Sequence, residues 1–230
     1  MSYRGGKNGA GVYQRIICEI SKHETYIEPF LGGGAIMRMK LPAPVMIGVD
    51  VDKNVLKNFG KYRGTDNIEL FHMDGIEFLR LRENDWPPKT TMIYCDPPYP
   101  RSVRKNKQKI YKFEMSDEQH EELLSVLLTM QAAIAISSYP NALYESRLKS
   151  WRKISFQTTT RGNTHAIECL WMNYPEPLEL HDYRYLGKDF RERERIKRMQ
   201  QRWKARLARM KPIECHAMMS TIEDFRKGEY

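Results

Sequence analysis

The segment Asp96-Pro97-Pro98-Tyr99 places a carboxylate, two prolines and an aromatic ring directly after the apolar residues 91–95. The apolar run predicts a short buried strand. Each proline fixes its φ angle and lacks an N–H group, so the following loop is stiff and cannot continue a sheet ladder. Such a loop can hold a hydrogen-bond acceptor and a flat ring in fixed relation, which suits a planar substrate with an amino group. A proline turn with a capping aspartate is the plainer alternative.

Two further aspartates follow predicted strands. Asp50 comes after residues 45–49, and Asp74 lies just beyond residues 68–71. Ligands of doubly wound sheets bind beyond the carboxyl ends of the strands, so the three aspartates are predicted to line one edge. Asp50, at the end of the second predicted strand, is placed to accept hydrogen bonds from ribose hydroxyls.

A glycine triplet, Gly32-Gly33-Gly34, follows the first predicted strand, residues 25–28. Gly32 and Gly34 would let a ligand approach the backbone without meeting a Cβ atom. An ordinary turn before a helix is the alternative. The triplet is not the spaced GxGxxG fingerprint and the chain has no GxxxxGK[ST] motif, so NAD and ATP sites are poorly supported.

Strands alternate with helices along the first part of the chain, which predicts an α/β fold with a doubly wound, mostly parallel sheet. One helix is predicted over residues 11–21, one from Asp52 to about residue 62, and one after a capping box of Ser116 and Gln119. The buried stripe of the last helix is predicted to consist of Leu123, Leu124, Leu127 and Leu128. Residues 132–136 are a further predicted strand, and residues 151–160 and 166–172 are predicted to close the sheet as an antiparallel pair. We expect a catalytic domain over residues 1–175 and a basic helical extension over residues 176–230.

The net charge of +9 is concentrated in two segments. Residues 186–211 hold eleven Lys or Arg against three Asp or Glu, and residues 101–112 hold six Lys or Arg and no acid. Charge arranged in this way predicts a polyanionic partner.

Composition also excludes several classes of protein. There is no run of eighteen apolar residues and the N-terminus lacks an apolar signal core, which argues against a membrane span and against secretion. The four cysteines are widely spaced and no histidine pair has metal-helix spacing. We therefore expect reduced thiols, a cytoplasmic location and no metal site.

The chain resembles the Dam-type DNA adenine-N6 methyltransferases. The resemblance runs in order through residues 1–175 and rests on Tyr3-Arg4-Gly5-Gly6-Lys7, Glu28-Pro29-Phe30-Leu31-Gly32-Gly33-Gly34, Asp50, Asp74 and Asp96-Pro97-Pro98-Tyr99. The ending Glu168-Cys169-Leu170-Trp171-Met172-Asn173, followed by an arginine-rich tail, is similar to phage and prophage DNA adenine methylases.

The resemblance implies a Rossmann-like fold of the S-adenosylmethionine-dependent methyltransferase type, with S-adenosylmethionine as methyl donor. Lys7 matches a position near the methionine carboxylate of the donor, Asp50 the ribose-binding acid, and Asp74 a position near the adenine of the donor. The cofactor-binding residues implied in this way are Tyr3, Lys7, Glu28, Phe30, Gly32, Gly34, Asp50, Asp74 and Asp96.

The implied reaction is direct methyl transfer to the exocyclic amine of a flipped-out adenine. The amine is a poor nucleophile because its lone pair is delocalised into the ring. Acceptors for its hydrogens, supplied by Asp96 and the Pro97 carbonyl, would favour a more tetrahedral nitrogen, while Tyr99 would stack on the base. The predicted catalytic set is Asp96, Pro97, Pro98 and Tyr99. Cys95 is the alternative nucleophile of cytosine chemistry, but its place at the end of the strand favours an ordinary buried thiol.

The chain departs from the Dam pattern between Asp50 and Asp96. Dam-type enzymes carry a helical target-recognition domain there, whereas this interval is predicted to hold one helix and one strand. Weak or short sequence specificity follows, with DNA held by the two basic segments. The predicted DNA-binding residues are Arg101, Arg104, Lys105, Lys107, Lys109, Arg198, Arg202 and Arg209.

Two alternatives to this function remain open: an RNA base-amine methyltransferase, and a catalytically silent DNA-binding protein that retains the fold. The extension is predicted to form an amphipathic helix over residues 189–210. Its apolar stripe, which could dock on the catalytic domain or form a homodimer, consists of Ile196, Met199, Trp203, Leu207 and Met210.

Overall fold

The computed structural model describes residues 7, 9, 11–62, 64–100, 112–159 and 165–228. Tyr3 and the basic residues Arg101, Arg104, Lys105, Lys107 and Lys109 lie outside the described residues, so their predicted roles stay predictions.

Seven strands form one mostly parallel sheet. They are β1 (Thr25–Glu28), β2 (Val45–Asp50), β3 (Ile68–His72), β4 (Thr91–Cys95), β5 (Ala133–Ser138), β6 (Arg152–Thr159) and β7 (His165–Met172). Their spatial order is β3-β2-β1-β4-β5-β7-β6. The pairs from β3 to β5 are parallel, and β7 runs antiparallel to both β5 and β6. This confirms the predicted doubly wound sheet with its closing antiparallel pair.

In the described residues of the first part of the chain, six helices accompany the sheet. They are α1 (Val12–Ile17), α2 (Ala35–Met39), α3 (Lys53–Phe59), α4 (Gly75–Leu81), α5 (Asp117–Thr129) and α6 (Ala142–Arg147). Helices α4 and α6 were not predicted, although each begins after an Asx cap, Asp74 or Asn141. In the described residues, the interval between Asp50 and Asp96 therefore holds two helices, α3 and α4, and two strands, β3 and β4, not the one helix and one strand expected.

Helix α5 opens with the predicted capping box of Ser116 and Gln119. One member of its predicted buried stripe is wrong, because Leu128 is 41% exposed. The buried face instead extends back to His120, whose Nδ1 lies 3.1 Å from the Tyr144 hydroxyl. A helix advances about 100° per residue, so Leu128 lies around the helix from Leu127 and leaves the core face.

The strand order reverses between β1 and β4. From β1 the chain builds outward through β2 and β3 on one side, and from β4 it continues through β5 on the other. In doubly wound sheets, a reversal of this kind leaves a crevice at the carboxyl ends of the two central strands, which here are β1 and β4. Such a switch point is where doubly wound sheets bind ligands.

The chain divides into two compact units, Met1–Tyr183 and Arg184–Tyr230. The last residues of the first unit are hydrogen-bonded to its body: the N–H of His181 donates to the Ile20 carbonyl at 3.1 Å, and the Leu41 N–H to Asp182 at 3.0 Å. The second unit contains α7 (Phe190–Leu207) and α8 (Pro212–Lys227), of which α8 was not predicted. Within the described residues, no helix combines the length and apolar character needed to cross a membrane.

Candidate active site

Asp96 lies immediately after β4, a strand whose five residues are all buried. Its Oδ1 atom accepts a hydrogen bond from the ammonium group of Lys7 at 2.7 Å. Burial raises the pKa of Asp96 to about 6, a rise that the Lys7 ammonium opposes and the Glu168 carboxylate reinforces. Asp96 is therefore mostly an ionised acceptor at neutral pH, held at the switch point by a cation.

Tyr99 is buried three residues further along the same loop. Its hydroxyl donates to Glu168 Oε1 at 2.6 Å and accepts from Lys7 Nζ at 2.7 Å. Its ring meets Tyr139 edge-on, with the ring centroids 4.7 Å apart, a favourable aromatic geometry. Both the hydroxyl and the ring of Tyr99 are thus held by neighbouring side chains. The stacking of Tyr99 on a substrate base stays a prediction.

Lys7 is buried between two carboxylates. Its Nζ atom lies 2.7 Å from Asp96 Oδ1 and 3.0 Å from Glu168 Oε1. A buried cation requires such partners, because desolvation of an unpaired charge is costly. One ammonium against two carboxylates leaves a net negative charge when both acids are ionised. The predicted contact of Lys7 with a cofactor carboxylate stays a prediction.

Asp50 ends β2 and is held by backbone donors on both oxygens. The Gly32 N–H donates to Oδ2 at 2.9 Å and the Asp52 N–H to Oδ1 at 2.8 Å. Burial raises the pKa of Asp50, while these two hydrogen bonds favour its charged form. The glycine turn after β1 therefore fixes the orientation of the predicted ribose-binding acid.

The glycines of this turn have a structural reason to be glycine. Gly32 and Gly34 have φ angles of 49° and 55°, in the left-handed region. A Cβ atom on Gly34 would lie 2.2 Å from the ring of Phe59. Close packing within the protein thus explains Gly34 without a ligand, and its predicted role in ligand approach stays a prediction.

Glu28 ends β1, the neighbour of β4. It is 3% exposed and accepts a hydrogen bond from the Tyr26 hydroxyl at 2.9 Å. Burial raises the pKa of Glu28 from its ordinary value of 4.5 to about 8, with the nearby Asp96 carboxylate adding to the rise. Glu28 is therefore largely protonated at pH 7 and can donate a hydrogen bond.

Two other predicted residues have clear structural contacts. Asp74 caps α4, because its Oδ1 accepts from the N–H groups of Ile76 at 2.8 Å and Glu77 at 3.1 Å. Phe30 packs against the core. The predicted contacts of Asp74 and Phe30 with a cofactor stay predictions.

The structure thus brings Lys7, Asp96 and Tyr99 into one cluster after β4, and Asp50 and Gly32 into a second at the carboxyl ends of β2 and β1. Burial raises the pKa of the Cys95 thiol far above its usual range and the residue is 0% exposed, which agrees with an inert buried thiol. Arg198 lies on α7 and Arg202 four residues later, and Arg209 follows the helix; all three are exposed.

Sequence reasoning missed Glu168 and Tyr139. Glu168 is a single carboxylate in front of the apolar run of β7, and Tyr139 directly follows β5, next to β4 in the sheet. The predicted antiparallel pairing of residues 166–172 was the feature that could have identified Glu168. Because an antiparallel strand runs in the opposite direction, the start of β7 lies at the carboxyl edge of the parallel strands.

Comparison with known proteins gives similar structures but no family. No family model matches the chain, and no curated protein matches it. Solved structures with a similar course of the chain include magnesium protoporphyrin IX methyltransferase from Synechocystis PCC 6803 with bound SAM, at 11% identity and a TM-score of 0.45 over 70% of this chain and 75% of that one.

A dimethyladenosine transferase from Plasmodium falciparum matches at 13% identity and a TM-score of 0.45, over 70% of this chain and 60% of that one. A precorrin 8W decarboxylase from Methanobacterium thermoautotrophicum matches at 11% identity and a TM-score of 0.44, over 74% of this chain and 92% of that one. A fold does not determine function, which depends on the residues of the site.

The raised pKa of Glu28 predicts how stability changes with pH. An unfolded chain releases this proton near pH 4.5, whereas the folded chain holds it to about pH 8, so ionisation costs the wild type stability as pH rises through that window. Glu28→Gln keeps an acceptor for Tyr26 and removes the cost. We expect equal stability near pH 4 and a more stable variant at pH 8–9, by on the order of a few kcal/mol.

Urea unfolding across this pH range measures the effect, with Glu24→Gln as the control at an exposed position just before β1. If Glu28→Gln follows the wild-type pH dependence, Glu28 does not hold its proton as described.

Proposed function

We propose that this protein is an S-adenosylmethionine-dependent DNA methyltransferase that methylates the N6 amine of adenine. The observation that carries the proposal is the ion pair between Asp96 and Lys7 at the β1/β4 switch point. This ion pair supports a role for the Asp96 carboxylate as an oriented hydrogen-bond acceptor, at the place where a doubly wound sheet binds its ligand. The proline-stiffened loop and the flanking tyrosine suit a planar amine.

The cofactor fits the second cluster. Asp50 is oriented by two backbone N–H groups, and a carboxylate has lone pairs beyond the two that they use. It would bind the ribose hydroxyls. The net negative charge of Lys7, Asp96 and Glu168 favours a cationic group nearby. When bound, S-adenosylmethionine supplies an activated methyl group on such a cation, its sulfonium.

Asp96 would act on the substrate amine. Its carboxylate accepts an N–H hydrogen bond from the amine and stabilises the positive charge that develops on nitrogen as the new C–N bond forms. The carboxylate must be ionised for this task. With a pKa of about 6, Asp96 is mostly in that form at pH 7.5. This pKa already includes the charge of Lys7, which favours the ionised form and opposes the effect of burial.

The choice of adenine in DNA rests on the resemblance. Related enzymes that modify RNA or glutamine usually have asparagine at the position of Asp96, and cytosine-amine enzymes more often have serine. Aspartate here therefore favours adenine in DNA.

The basic helix α7 supports a polyanionic partner. None of its residues is buried, and its first turn is capped by Asp189. Two of its glutamates pair with basic neighbours, Glu192 with Arg195 and Glu194 with Lys197, at 3.7 and 3.8 Å. Three acids cannot neutralise the eleven basic residues of residues 186–211. We propose that α7 contacts DNA phosphates; a homodimer through its apolar stripe is the alternative.

The polymer that accepts the methyl group tests the proposed substrate class. The protein is incubated with tritiated S-adenosylmethionine and, separately, with duplex DNA, single-stranded DNA and RNA of mixed sequence. We expect label in DNA. Label in RNA alone favours the RNA alternative, and cofactor binding without transfer to any polymer favours a catalytically silent protein.

Replacing Asp96 by alanine should abolish methyl transfer and preserve the fold. Loss of one preorganised polar group at a reacting centre typically costs about 10²–10³-fold in rate. Lys7 remains paired in the variant, because Glu168 lies 3.0 Å away. Steady-state kinetics and thermal unfolding measure the two effects, with Asp66→Ala as an exposed control. Activity within about three-fold of wild type, far short of that loss, would remove Asp96 from the reaction.

Asp50→Ala should weaken cofactor binding more than DNA binding. A lost hydrogen bond to a charged group costs about 1.5–3 kcal/mol. Calorimetric titration with S-adenosylmethionine measures the effect, and Asp85→Ala provides an exposed control. Asp50→Asn retains one acceptor and should lose less. An unchanged dissociation constant in Asp50→Ala means that the ribose role is wrong.

Neutralising the basic helix should weaken DNA binding for every sequence. In the triple variant Arg198→Gln, Arg202→Gln and Arg209→Gln, each lost phosphate contact should reduce the log–log salt slope by about 0.9 on duplex DNA. Fluorescence anisotropy at several salt concentrations measures the slope.

The control variant changes the net charge equally within the first unit, at the amino edge of the sheet, with Lys22, Lys89 and Lys149 replaced by glutamine. All three lysines are exposed. If the α7 variant keeps the wild-type slope and affinity while binding DNA, the helix does not contact phosphates.

A further inference from the structure

Glu168 is a buried carboxylate to which the proposed reaction assigns no contact with the cofactor or the substrate. It is 5% exposed and precedes four buried residues of β7, ending at Met172. Because β7 runs antiparallel to β5, with Cys169 opposite Ser138, the start of β7 lies at the carboxyl edge of the parallel strands. The sheet therefore places the Glu168 carboxylate at the switch point where Asp96 lies.

Among the described residues, the two polar contacts of the Glu168 side chain both lead to the proposed site. Glu168 Oε1 accepts from the Tyr99 hydroxyl at 2.6 Å and lies 3.0 Å from Lys7 Nζ. The same ammonium is 2.7 Å from Asp96 Oδ1. Glu168 is thus joined to the acceptor carboxylate through one shared cation, and to the neighbouring aromatic ring through one hydrogen bond.

Folding alone does not require this arrangement. Buried ion pairs can often be replaced by apolar residues of similar volume without loss of stability, because desolvation offsets their attraction. The backbone of β7 is paired on both sides, with β5 and β6, whatever its side chains. The residues that follow Glu168 in β7 are apolar. A carboxylate at the head of this run therefore suggests a function that Glu168 performs through Lys7 and Tyr99, the side chains it contacts.

We propose that Glu168 is a positioning residue of the methyl-transfer site, which fixes Tyr99 and shares Lys7 with Asp96. The expected effect of Glu168 on kcat rests on the proposed function. Its contacts with Tyr99 and Lys7 do not depend on that function.

The hydrogen bond to Glu168 would act on the geometry of the site. Tyr99 already meets Tyr139 edge-on. A second restraint at its hydroxyl would keep the side chain from swinging about its Cα–Cβ bond, so that the ring and the loop that carries Asp96 stay in place. Small displacements of such positioning groups are costly in rate.

The negative charge of Glu168 would act on Asp96. Without it, Lys7 would neutralise Asp96 more fully, and the cluster would lose the net negative charge that favours a cationic donor. The Glu168 carboxylate also raises the pKa of Asp96, so its removal should lower that pKa. Within the part of the chain that the structure describes, the other ionisable groups that face Asp96 or interact with its charge are Lys7, Tyr99, Glu28, Tyr94, Cys95, Tyr139 and Tyr144.

Two variants separate the hydrogen bond from the charge. Glu168→Gln retains an acceptor for Tyr99 and removes the charge, and Glu168→Leu removes both. We expect Glu168→Gln to move the acidic limb of the pH–kcat profile to lower pH. We expect Glu168→Leu to lower kcat by about 10- to 100-fold, the range for losing a hydrogen bond to a charged group. Glu69→Gln, on an exposed position of β3, is the control.

A double-mutant cycle tests whether Glu168 acts through Tyr99. If it does, Tyr99→Phe and Glu168→Leu together should cost much less than the product of their separate effects on kcat. Multiplicative effects would show that Glu168 does not act through the tyrosine and would overturn that part of the proposal.

A readout without methyl transfer keeps this test separate from the proposed function. Carboxyl carbon NMR of aspartate-labelled protein, with the Asp96 signal assigned by its loss in Asp96→Asn, follows the titration of Asp96 directly. A lower midpoint in Glu168→Gln supports the coupling even if the wild type methylates nothing, in which case the proposed function alone fails. An unchanged midpoint overturns the shared-cation arrangement.

Discussion

The site depends on one buried cation placed between two carboxylates. Lys7 lies within 3.0 Å of both Asp96 and Glu168, and a carboxylate that is withdrawn from water without such a partner carries a large desolvation cost. When both acids are ionised, these three side chains together carry one negative charge in excess. That excess distinguishes the cluster from a neutral structural ion pair, since it suits a cationic methyl donor and a nitrogen that becomes positive during transfer.

The sheet order explains why these residues meet although they are far apart in the chain. Parallel strands bring Glu28, Asp50 and Asp96 to the same edge, and reversal of β7 adds Glu168 there. Desolvation at this edge raises the pKa values of Glu28 and Asp96 to about 8 and 6. Two acids on neighbouring strands thus differ in protonation at neutral pH: one can donate a hydrogen bond while the other accepts.

The sequence predicts much of the fold, because strand periodicity, Asx caps and the capping box at Ser116 are local signals. Prediction from the sequence fails where a segment is short or where the residues in contact are far apart in the chain. Helix α4 was missed because its cap, Asp74, was interpreted as a ligand-binding acid, and helix α6 because its six residues show no clear apolar period. The contacts of Glu168 with Lys7 and Tyr99 join residues far apart in the chain, and no local pattern records such pairing. Glycine at position 34 was expected to admit a ligand, yet its packing against Phe59 already requires it.

The identity of the methylated atom tests the account most directly. The protein is incubated with S-adenosylmethionine carrying a trideuterated methyl group and with mixed duplex DNA and RNA. Both polymers are then digested to nucleosides and analysed by chromatography and tandem mass spectrometry. The account predicts deuterated methyl on N6 of deoxyadenosine. Label on ring carbon, on another base, on ribonucleosides alone or on no nucleoside would contradict it.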